Sequence, residues 1–569
     1  MNKNVIDRNK ILLVLLPFWT PLIPPQGIGQ LKIFLKNYGY NVKTADANVR
    51  TEFKEAYQQY FSTIKKYVPE RNWGNLYNIG HDVLRNHMMA YFNYHDGVGD
   101  ETQYYQLLKS ILYHTYYRDL DDEQVLELDR IIKQFYSDLE KYILDLVEAE
   151  KPGVFGLTAH LGTLGACMFS FKQVKAKYNQ IMTIIGGSVF AGELPPGSPD
   201  FDYFLEKTPY IDKIVMGEGE NLLLKILKDE LPLSQRVFTL EDINAKRLDI
   251  EQSELPDLSD FELERYPFNA AYISKSCPYK CKFCSVAGFF GDYRERSIKR
   301  AVDHFEELLK RHGIQLFHLL DSLVNPFIDA LSEELIRRDM SVYMDGYLRV
   351  SDDVGNREKT LQWRRGGLYR TRLGIETGSQ RLLNLMAKEI TVEQSKAAIS
   401  SLAYAGIKTT AYFVIGFPGE TEADFQQTLD FIEEMRADIW QVECNPFYYY
   451  YTGQHNSDIW ADKRLLLYPG YARNFLINQT WILNCDPTRE VRFQRMFRLV
   501  EHCKKLDIPN PYTIEELYLA DERWKTLHEN AVPSVIEFEK KGVYINENKY
   551  IKKLIPALNT QDTDKDFMF

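Results

Sequence analysis

Twice along this chain, short apolar runs alternate with stretches of helical period, and that rhythm restricts the fold more than any other feature. The first series starts at Ile11–Leu16, an unbroken apolar run ended by Pro17, as a strand buried on both faces requires. A helix is predicted from Gly27, with Ile28, Leu31, Phe34 and Leu35 on one face and Gly39 closing it, and a second strand over Asn41–Asp46. Strands are predicted again at Gly153–Leu157, Ile181–Ile185 and Ile211–Met216, completing an open, five-stranded α/β layer. Between the second and third strands, about 51–150 are polar, rich in Tyr and His, and helical in period; they form an insertion that covers the sheet or lines an entrance.

The second series begins at Ala271–Ile273. Strands follow at Leu316–Leu320, Ser341–Arg349, Arg370–Ile375, Thr409–Ile415 and Ile439–Cys444, each after a helical stretch. Six such units suit a partial (β/α)6 barrel, whose polar groups belong at strand C-terminal ends. The predicted division is an open Rossmann-like domain over 1–232, an acidic linker over 233–268, the barrel over 269–446 and a mainly helical region over 447–569. At 569 residues several domains are expected.

Three of seven cysteines crowd the loop after the first strand of the second series, as Cys277, Cys281 and Cys284 in a C-x3-C-x2-C spacing. Soft thiolates suit zinc and iron–sulfur clusters. No fourth cysteine follows at matching distance, so three could hold three irons of a [4Fe-4S] cube and leave one iron for a ligand from outside the protein. A zinc site short of a ligand and a chance clustering of buried thiols are the alternatives. Net charge of −11 argues against nucleic acid as a partner, because phosphate binding needs a basic face. No run approaches the roughly 20 apolar residues of a membrane span, and sparse, odd-numbered cysteines point to a reducing, cytoplasmic setting. Met1–Lys10 is polar and predicts no signal peptide.

The cysteine spacing resembles the signature of the radical S-adenosylmethionine (SAM) enzymes. That resemblance implies a cluster on Cys277, Cys281 and Cys284, SAM on the open iron, an electron donor such as flavodoxin or ferredoxin, and cleavage of SAM to a 5′-deoxyadenosyl radical. Phe283 matches the family's aromatic before the third cysteine and would face the adenine. Gly374-Ile-Glu376-Thr-Gly378 and Gly416-Phe-Pro-Gly-Glu420 resemble family segments in which Glu376 would bind SAM and Gly374, Gly378 and Gly416 would admit its approach. Arg349 could pair with the SAM carboxylate, and Asp321 could face substrate.

The first α/β domain resembles the cobalamin-binding domain that precedes many radical SAM cores. Thr158, His160, Gly186, Gly187, Gly217 and Glu218 stand at positions that line the cobalamin in that family. The Asp-x-His-x-x-Gly segment that carries a cobalt-ligating histidine in some cobalamin proteins is absent from the sequence. Together the two resemblances imply a cobalamin-dependent methyltransferase acting on a small molecule or peptide. Ring closure or rearrangement with the same cofactors, a radical SAM enzyme whose first domain is empty, and a non-catalytic regulator are the other readings. Cys167 as the lone cysteine upstream of the trio argues against a methylthiotransferase, and Phe447–Tyr451 is read chiefly as packing.

Overall fold

The computed structural model describes residues 7–279, 281–284, 286, 290–451, 457–509 and 514–528. The predicted C-terminal tail, Gln561–Asp566, lies outside them. In the first domain, β1 (Lys10–Leu15), β2 (Asn41–Asp46), β3 (Val154–Thr158), β4 (Met182–Gly186), β5 (Lys213–Val215) and β6 (Val237–Phe238) form one parallel sheet in the order β2-β1-β3-β4-β5-β6. β1 is buried from Ile11 to Leu15 because helices cover both its faces. The sixth strand comes from residues expected in the linker; a two-residue edge strand carries no readable period.

The rest of the linker is strapped to the domain by charge. Helix α1 (Gln26–Lys36) presents Lys32, buried, to Asp260 at 2.7 Å and Asp257 at 3.2 Å. Lys36 reaches Asp257 at 2.7 Å and Lys43 reaches Asp260 at 2.8 Å. The linker's acidity therefore matches a basic stripe on α1 and β2.

The insertion is four helices, α2 (Thr51–Tyr67), α3 (Leu76–His95), α4 (Glu101–Tyr116) and α5 (Asp122–Glu150). A capping box on Asp121 and Gln124 starts α5, and its stripe from Val125 to Val147 is buried. The insertion also reaches beyond its own domain: the side chain of Asn75, just before α3, donates to the Cys444 carbonyl, and Asn93 donates to the Phe475 carbonyl at 2.7 Å.

The second domain pairs β7 (Asn269–Ala271), β10 (Leu316–Leu319), β11 (Tyr343–Arg349), β12 (Leu368–Glu376), β13 (Lys408–Ile415) and β14 (Gln441–Pro446) as a parallel sheet in the order β14-β13-β12-β11-β10-β7. No ladder joins β7 to β14 among the described residues, so the barrel is partial. A short antiparallel pair, β8 (Ser274–Lys275) with β9 (Arg294–Glu295), flanks the cysteine loop. The C-terminal region contains a further antiparallel pair, β15 (Arg464–Leu466) with β16 (Trp481–Leu483), besides the helices Arg489–Lys505 and Ile514–Leu527. Among the described residues no helix is long and apolar enough to cross a membrane.

Candidate functional site

Alternation along the barrel strands sets the character of the lumen. Its lowest row is closed: Asp345, Thr410 and Gln441 are buried. Asp345 receives Arg370 and also Arg372 at 2.9 Å, with His318 at 3.5 Å. Although full burial opposes ionisation, the two guanidinium groups hold the Asp345 carboxyl well below the usual carboxylate range. One row up, Arg372, Tyr347, Tyr412 and Glu443 keep exposed surface while their strand neighbours are sealed. The lumen thus opens toward the C-terminal ends of the strands, on the side where the cysteine loop sits.

That loop is anchored from below. Asp321, just after β10, accepts from the amides of Ile273 and Ser274 and from the Ser274 hydroxyl at 2.7 Å. Burial pushes its pKa up to about 6 despite these donors. The residue read as a substrate contact is engaged in fixing the chain that leads into the loop.

Cys281 is buried, while Cys277 and Cys284 are half-buried. The Cys284 amide donates to the Cys281 carbonyl at 3.1 Å, a turn that keeps the last two thiols together. Burial pushes the Cys277 and Cys284 thiols up, and repulsion by Cys281 adds to it, whereas Lys388 pulls the other way on both. Among the described residues no three His, Cys, Asp or Glu side chains surround a single-ion position. A cubane places each cysteine on its own iron, so its thiolates stand farther apart than the ligands of one ion. Three soft donors on one loop, with cations beside them, suit such a cluster better than a closed zinc site.

One cation closes β11 and the other follows the short helix Gln380–Leu385 that comes after β12. Arg349 closes β11, donates to Cys281 Sγ at 3.2 Å and to the Lys388 carbonyl, and lies 4.2 Å from the centre of the Tyr279 ring. Lys388 forms a buried ion pair with Glu376, and its Nζ lies 5.6 Å from the Phe283 ring centre. Glu376 ends β12 at a register shift and has φ of 68°; Ala387 and Glu389, on either side of Lys388, have φ of 53° and 56°. Left-handed backbone at three non-glycine residues around one ion pair is the strain that functional sites tend to store. Gly374 lies against the pair: a Cβ there would sit 2.7 Å from Glu376 Oε1 and 2.9 Å from Lys388 Nζ. Lys388 and Asn325, which brackets Arg349 with two backbone hydrogen bonds of 2.8 and 2.9 Å, escaped the sequence reading because no spacing links them to the cysteines; Tyr279, between Cys277 and Cys281, escaped it because the spacing assigns its ring no partner.

The other two barrel glycines are packed against protein. A Cβ on Gly378 would meet Gln427 O at 2.5 Å, and one on Gly416 would meet the stem of Arg492 at 2.0 Å. The Gly416 amide donates to Glu420 at 3.0 Å, and Arg495 reaches the same carboxylate at 2.8 Å.

In the first domain, Thr158, Gly186, Gly187, Gly217 and Glu218 converge on one cleft of about 880 Å³, counting its open mouth. Its floor is apolar, from Leu13, Val154, Ile184 and Val215, between the sheet and α1. Glu218 links this cleft to the barrel, receiving Arg294 and, at 3.6 Å, Lys275. His160 is placed elsewhere: it stacks on Trp19 at 4.3 Å and hydrogen-bonds Ser188 at 2.8 Å, and burial lowers its pKa to about 4.

Residues 272–432 match the radical SAM superfamily. The barrel is a radical SAM domain. Over 326 residues the chain is 29% identical to an anaerobic magnesium-protoporphyrin IX monomethyl ester cyclase of Rubrivivax gelatinosus, covering 53% of this chain and 57% of that protein. It is 24% identical over 330 residues to an uncharacterized methyltransferase of Pyrococcus horikoshii, covering 54% of this chain and 68% of the other. The chain spans little more than half of the Rubrivivax relative's length. The fold is shared along nearly the whole chain with the radical SAM methyltransferase TsrM of Kitasatospora setae, solved with cobalamin and a [4Fe-4S] cluster: TM-score 0.56, 14% identity, 97% of this chain and 100% of that one. OxsB, a cobalamin-dependent radical SAM enzyme, gives a TM-score of 0.51 at 14% identity, over 96% of this chain and 72% of its own. The N-terminal layer, the radical SAM domain and the C-terminal region thus follow the order of the fold found in cobalamin-dependent radical SAM enzymes.

Proposed function

We propose that this chain is a cobalamin-dependent radical SAM methyltransferase acting on an unactivated carbon of a natural product or peptide precursor. The observation that carries the reading is the junction of two sites. Lys275 lies on the wall of the glycine-lined cleft, two residues before Cys277, and pairs with Glu218 of the same cleft. A corrinoid held in the cleft and a cluster held on the loop would therefore face one space.

The donor sets fit both groups. Cys277, Cys281 and Cys284 would hold three irons. The cleft's apolar floor suits the aromatic tail of cobalamin, and Gly186 and Gly217 put backbone on its lining. When bound, the cluster supplies the electron that cleaves SAM, and cobalamin supplies a methyl carrier. The chain's own part is positioning. Glu376 and Lys388 present an acceptor and a donor beside the cysteines for the amino and carboxylate groups of SAM, with Phe283 as an apolar wall.

The cyclase relative favours a second reading, ring closure with the same cofactors. Anaerobic reconstitution with cobalamin is expected to give about four irons and one cobalt per chain with corrinoid bands. Iron without cobalt would overturn the cobalamin reading, and no SAM cleavage at full iron loading would overturn the radical reading. With substrate, a gain of one CH2 unit in mass supports methylation; loss of hydrogen without methyl gain supports ring closure.

A further inference from the structure

A cavity of about 1050 Å³, counting its mouth, lies where the C-terminal ends of the two sheets meet. Leu161, just beyond β3, and Pro195, Ser198 and Pro199, beyond β4, reach it from the first domain, and Phe447–Tyr451 reach it from β14. α3 roofs it with Asp82, Arg85 and Asn86. Tyr448, Tyr450 and Tyr468 give it a wall of rings with polar tips, which suits a large, partly apolar guest.

One side is strongly cationic. Arg489 and Arg492 stand in the first turns of the helix Arg489–Lys505, at the positive end of its dipole, where cations are disfavoured. Neither has a carboxylate within ion-pair distance among the described residues. Arg492 is 3% exposed, and its Nη2 has no hydrogen-bond partner; the Nε of Arg489 has none either. A buried guanidinium with open N–H groups is expensive unless a ligand completes it. The acids on the same wall are engaged or held back. Asp82 pairs with Arg85 at 3.2 Å, Asp200 takes the Gln479 amide at 3.0 Å, and burial raises the Glu193 pKa. The cationic side also adjoins the barrel mouth, because the stem of Arg492 lies on Gly416 and its guanidinium is 5.7 Å from the Phe447 ring centre.

We propose that this cavity is the substrate chamber, and that the substrate is an aromatic or extended apolar molecule bearing a carboxylate, seated with that carboxylate on Arg489 and Arg492 and its body along the tyrosines. The assignment rests on the radical SAM reading and names the substrate class for it.

A matched pair of probes tests it: 1-pyrenebutyrate and 1-pyrenebutanol share a ring system and chain and differ in the carboxylate. In equilibrium dialysis against the full chain, reconstituted anaerobically, the butyrate is expected to bind at least about tenfold more tightly, the range of one or two charge-assisted hydrogen bonds. Arg489→Gln and Arg492→Gln should each reduce that preference, and together bring it close to unity with butanol binding unchanged. Arg489→Lys, which keeps the charge, should retain most of it. Equal or absent binding of the two probes by the parent chain overturns the proposal, as does a preference that survives the double substitution. SAM affinity lost in Arg489→Gln with the preference intact would assign the arginines to SAM and also overturn it. Dialysis requires no turnover, so a parent chain that shows the preference and never cleaves SAM fails the catalytic reading alone, and one that cleaves SAM without the preference fails this inference alone.

Discussion

Replacing Lys388 by Met isolates the ion pair at the centre of the candidate site. Its two partners are 7% and 8% exposed, so solvent screens them little. The Lys388 ammonium is the hydrogen-bond partner seen for the Glu376 carboxylate among the described residues. Removing it leaves a buried carboxylate without a donor, which costs about 3–5 kcal/mol in comparable pairs. Loss of the cation–π contact with Phe283 adds about 0.5–1 kcal/mol. For a domain the size of this barrel, about 2–4 °C of melting temperature accompanies each kcal/mol, so Lys388→Met should lower the barrel transition by roughly 10 °C. Adding Glu376→Leu removes the stranded charge and should recover most of that loss, because an apolar pair of similar volume is near neutral in such a position. Differential scanning calorimetry of the parent, both single variants and the double variant measures the coupling. A shift under about 2 °C for Lys388→Met, or no recovery in the double variant, would refute the reasoning that the pair is a desolvated, mutually dependent unit.

Other outcomes are equally specific. Burial raises the Glu420 pKa to about 7, above its unfolded value, even though Arg495 and the Gly416 amide oppose the shift. The native state therefore binds the proton more readily, and the contribution of Glu420 to stability should fall as pH rises from about 4.5 to 7; melting temperatures of Glu420→Gln across that window should show a flatter profile than the parent. Gly378→Ala should cost about 1–3 kcal/mol, since its Cβ would meet Gln427 O at 2.5 Å and Phe431 Cβ at 2.7 Å, both on a packed helix; unchanged thermal stability would contradict this. Gly27→Leu meets no atom within 4 Å at Cβ and lines the first-domain cleft, so it should reduce cobalt retained per chain while iron content stays at the parent level. Lys32→Met removes the buried cation that Asp257 and Asp260 share and leaves each with one exposed partner, Lys36 or Lys43, and limited proteolysis should then cut sooner within 233–268.

Much of this protein was readable from order along the chain. Both α/β series, the insertion after Asp46 and the cysteine trio depend on local periodicity or on spacing within one loop, where neighbours in sequence are neighbours in space. β6 and the β15–β16 pair are not legible because strands of two or three residues carry no period. Glu376 was legible because it closes a predicted strand in a segment, Gly374–Gly378, that resembles the radical SAM pattern. Lys388 was not, for it follows a short helix in a stretch without pattern and meets Glu376 only through the turn between them.

The physical division is between what covalent sequence brings together and what folding brings together. The thiols, the succession of strands and helices along the chain and the glycines at strand ends are properties of short segments, and the sequence by itself determines them. The cationic cavity takes α3 from the insertion and, hundreds of residues later, the loop after β14 and the first turns of a helix that begins at Arg489. No spacing rule joins Arg85 to Tyr448 and Arg492. Their meeting, like the approach of Lys275 to Glu218, is decided by the burial of apolar faces around two sheets, and only the tertiary structure records it.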